Sequence, residues 1–274
     1  MATKKPAAPK ESTSTAVSLW EQELAQAAEA QSESEKHSGF KTISTKSGIL
    51  SIDDAAVPGN ELRVIIIGAV HENQLYEEVF DANRPATPVC YAFGDSEESM
   101  APFPEVANPQ SATCAGCPQN QWGSAAQGKG KACKNVRRLL CITEDSLESA
   151  EALRDAEARV LKVPVMSVKG WSAYVKTVLP DLKRPSWGVV TKIKIVPDAK
   201  SQFRVVFSFE ELVDFTQETF EAMRKRVAES AEHLKTAYPV YEAEAAPAAP
   251  PPRKTVPIKK VGTAAPAPKG KAKY

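Results

Sequence analysis

The chain has 274 residues, enough for one well-cored domain or for a smaller domain with tails. Hydrophobic residues make up 42% of it and charged residues 25%, the usual composition of a soluble globular protein. No run approaches the ~20 apolar residues that cross a bilayer, and the N-terminal lysines precede no apolar signal segment. The formal net charge of +1 excludes little, because charges of opposite sign are segregated along the chain. The sequence therefore predicts a cytoplasmic protein of a reducing compartment, without a membrane partner.

Both ends of the chain have the composition of disordered segments. Residues 1–16 are rich in Ala, Lys, Pro, Ser and Thr, and residues 239–274 form a Pro/Ala/Lys tail without an acid beyond Glu244. Between residues 17 and 36 lies an acidic segment whose weak apolar stripe predicts a solvated helix. We therefore expect a single β-rich domain over residues 37–238. The basic tail fits a solubilising role and sequence-independent phosphate binding equally well.

Strand signals dominate the first half of this domain. Alternating polar and apolar residues at 40–45 and 49–52 predict two short strands around a turn. The most apolar run of the chain, LRVIIIGAV at residues 62–70, is short and β-branched, which favours a buried central strand. Gly68 within this run predicts a bulge or a sharp bend.

The second half of the domain mixes strands with helices. Residues 210–237 have an apolar residue at every third or fourth position, which predicts the longest helix, packed on the sheet. Shorter helices are expected after Ser146 and after Ser167, because a serine before an apolar-periodic segment is a typical N-cap. Further strands are predicted at residues 88–94, 137–143 and 159–165, and a β-hairpin at 187–209.

Four of the five cysteines lie in one segment, from Cys114 to Cys141, that contains no carboxylate. In a reducing compartment such crowding indicates a metal site rather than disulfides. Cys114 and Cys117 form a CxxC turn, and Cys133 adds a third sulfur donor. The fourth donor is either Cys90, in the strand before the loop, or Cys141, whose apolar neighbours are typical of a buried thiol. We choose Cys90 and predict a zinc site of Cys90, Cys114, Cys117 and Cys133.

This zinc loop spans about residues 90–141. A closed site of four thiolates leaves no position for water, so its zinc is expected to be structural rather than catalytic. An iron–sulfur cluster uses the same donors, and Pro118 resembles the proline of ferredoxin runs, but no redox-partner motif accompanies it. Free cysteines in a packed loop are the third alternative. The predicted fold class is α+β: a β-rich, OB-like barrel or curled sheet with an inserted four-cysteine zinc loop, a packed C-terminal helix and disordered tails.

The same loop carries the signals of a nucleic-acid surface. From Cys114 to Cys141 its only charged residues are basic, and it contains one tryptophan, Trp122. Lysines suit phosphates, and an exposed tryptophan can stack on an unpaired base for about 1–3 kcal/mol. Packing of Trp122 on the metal site is the alternative. The predicted nucleic-acid contacts are Tyr91, Trp122, Lys129, Lys131, Lys134, Arg137 and Arg138.

Several stretches resemble a family of tailed-bacteriophage proteins. They are PVCYAFGDSEESMAP, CAGCPQNQWGSA and GKGKACKNVRRL, with weaker similarity at VPVMSVKGWSAYV and WGVVTKI. The resemblance covers roughly residues 39–209. It implies a phage-encoded, single-stranded DNA-binding protein that acts in DNA replication or recombination in the bacterial cytoplasm, with phage replication proteins as further partners.

A second resemblance is at the level of fold alone. A β-barrel interrupted by a zinc loop is similar to the metal-bearing oligonucleotide-binding domain of replication protein A. Phage and bacterial single-strand binders usually end in an acidic tail that recruits partners. The tail of this chain is basic, so the resemblance does not imply recruitment through the C-terminus.

The leading functional prediction is a non-enzymatic single-stranded DNA-binding protein, with a groove formed by a five-stranded barrel or related sheet beside the loop. The alternative is a structural or regulatory protein that uses the zinc loop to dock on a host or phage protein. An enzyme is not expected. The histidines, His37, His71 and His233, are scattered, and the sequence has no nucleophile motif, carboxylate pair or cofactor fingerprint.

Overall fold

The computed structural model describes residues 41–76 and 87–238, together with Leu24, Gln26 and Ala27. All of them belong to one structural unit. Leu24, Gln26 and Ala27 are helical and exposed. The predicted disordered N-terminus, the rest of the predicted acidic helix and the basic tail lie outside the described residues.

Within the described residues, nine strands form one sheet. The strands are β1 (Thr42–Ser44), β2 (Ser51–Ile52), β3 (Ala55–Ala56), β4 (Glu61–Leu75), β5 (Cys90–Gly94), β6 (Lys134–Thr143), β7 (Arg159–Val163), β8 (Val189–Asp198) and β9 (Gln202–Leu212).

The order of the strands in the sheet is β3-β2-β1-β7-β6-β4-β8-β9, and β5 also pairs with β4. β1 runs parallel to β7, whereas the other pairs are antiparallel. The sheet curls into a half-barrel, so the chain is a mixed α+β protein consistent with an OB-like fold.

Helices and short turns connect these strands. The helices are α1 (Ala150–Asp155), α2 (Val165–Ala173), α3 (Leu179–Leu182) and α4 (Gln217–Leu234), and a π-helical turn, Tyr174–Val178, joins α2 to α3. Single 3-10 turns occupy Lys46–Gly48, Pro58–Asn60, Pro118–Asn120, Glu144–Glu148 and Ser186–Gly188. None of the helices in the described part of the chain is both long and apolar enough to cross a membrane.

Alternate side chains of the central strands fill two hydrophobic cores. In β4, Val64 and Ile66 enter one core, which α2 covers through Trp171. Ile65 and Ile67 enter the other core, which lies under α4. Successive residues of a strand point to opposite faces, so a strand covered on both faces is apolar throughout. This explains why the predicted central strand has a continuous apolar run.

The central strand β4 has three partners. β6 pairs with residues 64–74 along one edge of β4. On the other edge, β8 pairs with residues 61–64 and β5 with residues 71–75. Between these two partners that edge meets no strand among the described residues, and the hydroxyl of Ser186 donates a 2.8 Å hydrogen bond to the carbonyl of Ile66. The sheet therefore divides into two branches at β4.

The bulge predicted at Gly68 is present. The register between β4 and β6 shifts between Ile66 and Gly68. α4 crosses so closely here that a Cβ at residue 68 would lie 2.6 Å from Oγ of Ser230 and 2.8 Å from Cδ1 of Leu234. Glycine is therefore required by the close approach of helix and strand.

The predicted start of the long helix is wrong. Residues up to Leu212 extend β9, and α4 begins only at Gln217. Thr216 and Thr219 form a capping box: the Thr219 amide donates to Oγ1 of Thr216 (3.2 Å), and the Thr216 amide donates to Oγ1 of Thr219 (2.9 Å). Leu212 and Phe215, before this cap, continued the apolar pattern without being helical.

The other two predicted caps are also misplaced. Ser149, rather than Ser146, caps α1 by accepting a 3.0 Å hydrogen bond from the amide of Ala152. Ser167 lies inside α2, where its buried hydroxyl accepts a 2.8 Å hydrogen bond from the amide of Val205. That serine fastens the helix to β9 instead of starting the helix.

Replacing Gly68 with alanine should destabilise the fold, because the new methyl group overlaps Ser230 and Leu234. Overpacking of this kind costs about 1–3 kcal/mol in the free energy of unfolding, which urea denaturation would measure. Gly130→Ala is the matched control, since a Cβ there would meet only Ala125, at 3.9 Å. Equal urea midpoints for the two variants would contradict the close approach of α4 to β4.

Candidate functional site

The cysteine loop folds over one end of β4, where β5 and β6 flank that strand. Cys90 is the first residue of β5 and lies opposite Leu75. Lys134 is the first residue of β6, lies opposite Gln74, and directly follows Cys133. Cys90 and Cys133 therefore reach the same end of the sheet from opposite sides of β4.

Backbone hydrogen bonds hold the CxxC turn over this end of the sheet. The amide of Cys114 donates to the carbonyl of Met100 (2.9 Å), and the amide of Cys117 donates to the carbonyl of Cys114 (3.4 Å). The amide of Cys133 donates to the carbonyl of Gln119 (2.9 Å). The turn and the third loop cysteine are thus fixed to each other as well as to the fold.

Three asparagines connect the loop to the strands beneath it. Asn73 of β4 and Asn135 of β6 lie directly opposite each other, and Nδ2 of Asn135 donates both to Oδ1 of Asn73 and to Oδ1 of Asn120 (3.0 Å). Nδ2 of Asn120 donates to the carbonyl of Cys114 (2.8 Å), while its Oδ1 accepts from Nζ of Lys131 (3.3 Å). Buried amides need such partners, so the network fixes the loop relative to the sheet.

The side chains of four cysteines, Cys90, Cys114, Cys117 and Cys133, line one small pocket. Its cavity volume is about 20 Å³, room for one water-sized particle. Three of these cysteines are buried and Cys90 is half-buried. As the side chains stand, no three or more His, Cys, Asp or Glu residues of the described chain converge closely enough to hold a metal ion. The cysteines bound the cavity without closing on its centre.

Burial and mutual proximity both act on these thiols. Burial is the main cause that raises the pKa of Cys133 to about 12, and Cys114, Cys117 and Cys90 add to the rise. Burial also raises the pKa of Cys114; a hydrogen bond with Asn73 opposes the rise, and Cys90 and Cys117 increase it. Electrostatic effects fall with distance, so these mutual effects agree with the shared pocket.

Cys141 lies away from this pocket. It is 1% exposed, pairs with Ile66 and Arg159 on the neighbouring strands, and belongs to the core under α2. Burial alone raises its pKa to about 12. The structure thus brings together the four cysteines selected from the sequence and separates the fifth from them.

Trp122 and three lysines lie on the outer side of the loop. Trp122 is 80% exposed and does not line the cysteine pocket. Nζ of Lys131 lies 5.7 Å from the centre of the tryptophan ring. Lys129 and Lys134 are exposed, and Nζ of Lys134 donates to the carbonyl of Lys131 (3.1 Å). An aromatic face and several cations therefore share this surface.

Three of the predicted nucleic-acid contacts are buried, which corrects their assignment. Arg137 is paired with Glu97, with 2.8 Å between Nη2 and Oε1. The ring of Tyr91 stacks on Phe103 with 5.3 Å between ring centroids. Arg138 is 4% exposed. The two arginines are buried because both faces of β6 are covered, and Tyr91 is buried because the loop packs on β5.

Arg138 is the centre of a buried ionic network that the sequence analysis missed. It makes two hydrogen bonds to the carboxylate of Glu72, which is 0% exposed: Nε to Oε2 (3.2 Å) and Nη2 to Oε1 (2.8 Å). Its Nη1 donates to the carbonyls of Leu234 (3.2 Å), the last residue of α4, and Thr236 (3.4 Å), just beyond it. The guanidinium carbon lies 4.3 Å from the ring centre of Phe93. The sequence did contain a signal for this pair: Glu72 and Arg138 are charged residues in β4 and β6, two strands that also contain long apolar runs.

Tyr238 completes this network. Its hydroxyl donates to Glu72 and accepts a 2.6 Å hydrogen bond from Nζ of Lys162. Its ring lies 4.9 Å from that of Tyr91. Burial, followed by the neighbouring Glu72 carboxylate, raises the pKa of Tyr238 well above its usual range. The phenol therefore stays protonated and keeps its role as a donor.

Models of protein families, curated protein sequences and solved structures gave no match to this chain. The resemblance to tailed-phage proteins stays a prediction. Function is therefore inferred from the cysteine loop, which carries an exposed tryptophan, exposed lysines and three of the four cysteines that line one pocket.

Replacing Glu72 with glutamine should destabilise the protein strongly, because it leaves the buried guanidinium of Arg138 without a counter-charge. Breaking a buried pair in this way costs about 3–5 kcal/mol in the free energy of unfolding. Glu229→Gln is the control: it removes a surface pair with Lys225 (3.9 Å) and should cost less than about 1 kcal/mol. Urea denaturation compares the two, and a loss at Glu72 no larger than at Glu229 would contradict the role of the network.

Proposed function

We propose that the chain is a non-enzymatic single-stranded DNA-binding protein, encoded by a bacteriophage and acting in DNA replication or recombination in the host cytoplasm. One observation carries the proposal: Trp122 is 80% exposed, and the Lys131 ammonium lies 5.7 Å from its ring centre. Proteins that bind single strands without reading sequence stack bases on exposed aromatic rings and place cations along the backbone.

The charge of the loop supports the same proposal. Residues 106–143 contain no Asp or Glu. Lys129, Lys131 and Lys134 form no salt bridge with a carboxylate among the described residues, whereas Arg137 is paired with Glu97. The hydrogen bond from Arg137 is the main cause that lowers the pKa of Glu97, and the Lys131 charge adds to this effect. Three lysine–phosphate contacts would give a slope of about −2 in log K against log salt for a single strand.

The proposed binding surface lies at the end of the sheet instead of on its face. α2 and α3 cover one face of the central strands, and α4 covers the other. The central strands of the described sheet therefore offer a DNA strand no open groove. The groove that the sequence analysis expected on the sheet is wrong, and the proposed surface is the cysteine loop instead. Among the described residues, the cysteine loop provides the exposed surface for a ligand at this end.

A protein partner for this surface is the second candidate. An exposed tryptophan beside basic side chains is also typical of a docking hot spot. That alternative predicts stable co-purification with a protein and no co-purifying nucleic acid. The two candidates share the surface and differ in the ligand.

Fluorescence anisotropy with labelled oligo(dT) at increasing salt tests DNA binding directly. Trp122→Ala should weaken binding about 5- to 150-fold, because one stacked base contributes about 1–3 kcal/mol. Replacing Lys129, Lys131 and Lys134 with glutamine should reduce the salt slope by about 2 units.

The matched control is a triple glutamine variant of Lys169, Lys176 and Lys183, which are exposed on the α2–α3 side. It removes the same charge and should leave affinity and salt slope close to those of the wild-type chain. Absence of binding at low salt would refute the proposal. An equal effect of the two triple variants would refute the assignment of the surface.

A further inference from the structure

We propose that Cys90, Cys114, Cys117 and Cys133 together bind one zinc ion in a closed, structural site. The proposal rests on the placement of the four side chains and does not depend on DNA binding. Two donors come from one tight turn, one is the first residue of β5, and one directly precedes β6. This is the distribution of ligands that structural zinc sites use, with a pair from a turn completed by residues from other elements.

The chemistry of the pocket selects a soft metal. Its lining contains four cysteines and no Asp, Glu, His, Lys or Arg. Magnesium and calcium require oxygen ligands, chiefly carboxylates, which this pocket lacks. Four sulfur donors suit zinc or an iron–sulfur cluster. The donor set therefore leaves these two candidates.

The size of the pocket favours zinc. A cavity of about 20 Å³ accepts one particle the size of a water molecule. A single zinc ion meets that condition with the pocket as it stands, whereas a cluster of several iron and sulfide atoms would require the pocket to widen. Four thiolates also fill a tetrahedral shell, so the zinc would have no open position for a substrate.

As they stand, the cysteine side chains do not converge on one ion, so metal binding requires the sulfurs to turn toward the cavity. Their backbones are already held by the turn and by the pairing of β5 and β6 with β4. A cysteine side chain turns by rotation between staggered χ1 positions. The thiols must lose their protons as the metal enters, as in any thiolate site.

A bound metal would stabilise the loop, which has only a small hydrophobic core of its own. Between β5 and β6 the described chain has one 3-10 turn, and the small apolar cluster at this end contains Ala92, Met100 and Cys114. So little buried apolar surface cannot hold a loop of this length in one conformation. Metal binding supplies folding free energy where burial cannot.

Binding of the proposed ion would also affect the outer surface, through the side chain of Asn120. Its Nδ2 donates to the carbonyl of Cys114, and its Oδ1 accepts a hydrogen bond from Nζ of Lys131. Fixing the CxxC turn therefore fixes Lys131 beside Trp122. This last step rests on the proposed DNA-binding function, whereas the metal site itself does not.

Metal analysis of the full-length protein, purified under reducing conditions without chelator, tests the site. We expect one equivalent of zinc per chain. After removal of zinc, addition of Co²⁺ should give the intense visible bands of a tetrahedral thiolate complex. Cys90→Ser should shift or abolish these bands, because it removes one of four sulfur ligands. Cys141→Ala is the matched control and should keep both the zinc and the cobalt spectrum of the wild-type chain.

Each other outcome has a distinct meaning. Folded wild-type protein without zinc and without cobalt bands would overturn the site. Iron with labile sulfide would replace it with a cluster, and loss of metal in Cys141→Ala but not in Cys90→Ser would overturn the ligand set. The cobalt spectrum of the wild-type chain gives an answer even if a serine variant does not fold. If the protein contains zinc but does not bind oligo(dT), the DNA-binding proposal alone is refuted. If the purified protein contains no metal but binds oligo(dT), the zinc site alone is refuted.

Discussion

The buried pair of Glu72 and Arg138 is the interaction on which the arrangement of this protein depends. An ion pair inside a protein is favourable only when every remaining donor and acceptor also finds a partner. Here Arg138 bonds the carboxylate and two carbonyls at the C-terminal end of α4, and Tyr238 supplies a further donor to Glu72. The pair therefore joins β4, β6 and the end of α4 in one register. Because Cys133 directly precedes β6 and Cys90 begins the strand that pairs with β4, that register also positions the pocket.

The covered faces of the sheet decide where a ligand can bind. With helices on both sides, the central strands are committed to two cores and offer no groove. Polar and reactive side chains accumulate instead at the strand ends, where a long connection is free to carry function. The cysteine loop is such a connection, and it leaves Trp122 exposed while Met100 and Phe103 pack on β5.

The features that the sequence predicted correctly are local ones. The central strand, the bulge at Gly68 and the hairpin of β8 and β9 each follow from residues that are neighbours in the chain. The grouping of the cysteines was also readable from spacing, apart from Cys90, which had to be chosen. The burial of Arg137 and Arg138 was not readable, because their partners, Glu97 and Glu72, are 40 and 66 residues away. Basic residues next to a cationic loop look like part of it until those distant carboxylates are placed.

The division of the sheet at β4 has a mechanical consequence. The hairpin of β8 and β9 pairs with one end of β4, and β5 pairs with the other. Between the two, that edge of β4 meets no strand among the described residues. Along the hydrogen-bonded sheet, force applied at the cysteine loop therefore reaches the hairpin through β4, while the hydrogen bond between Ser167 of α2 and Val205 of β9 gives the hairpin a second attachment outside the sheet.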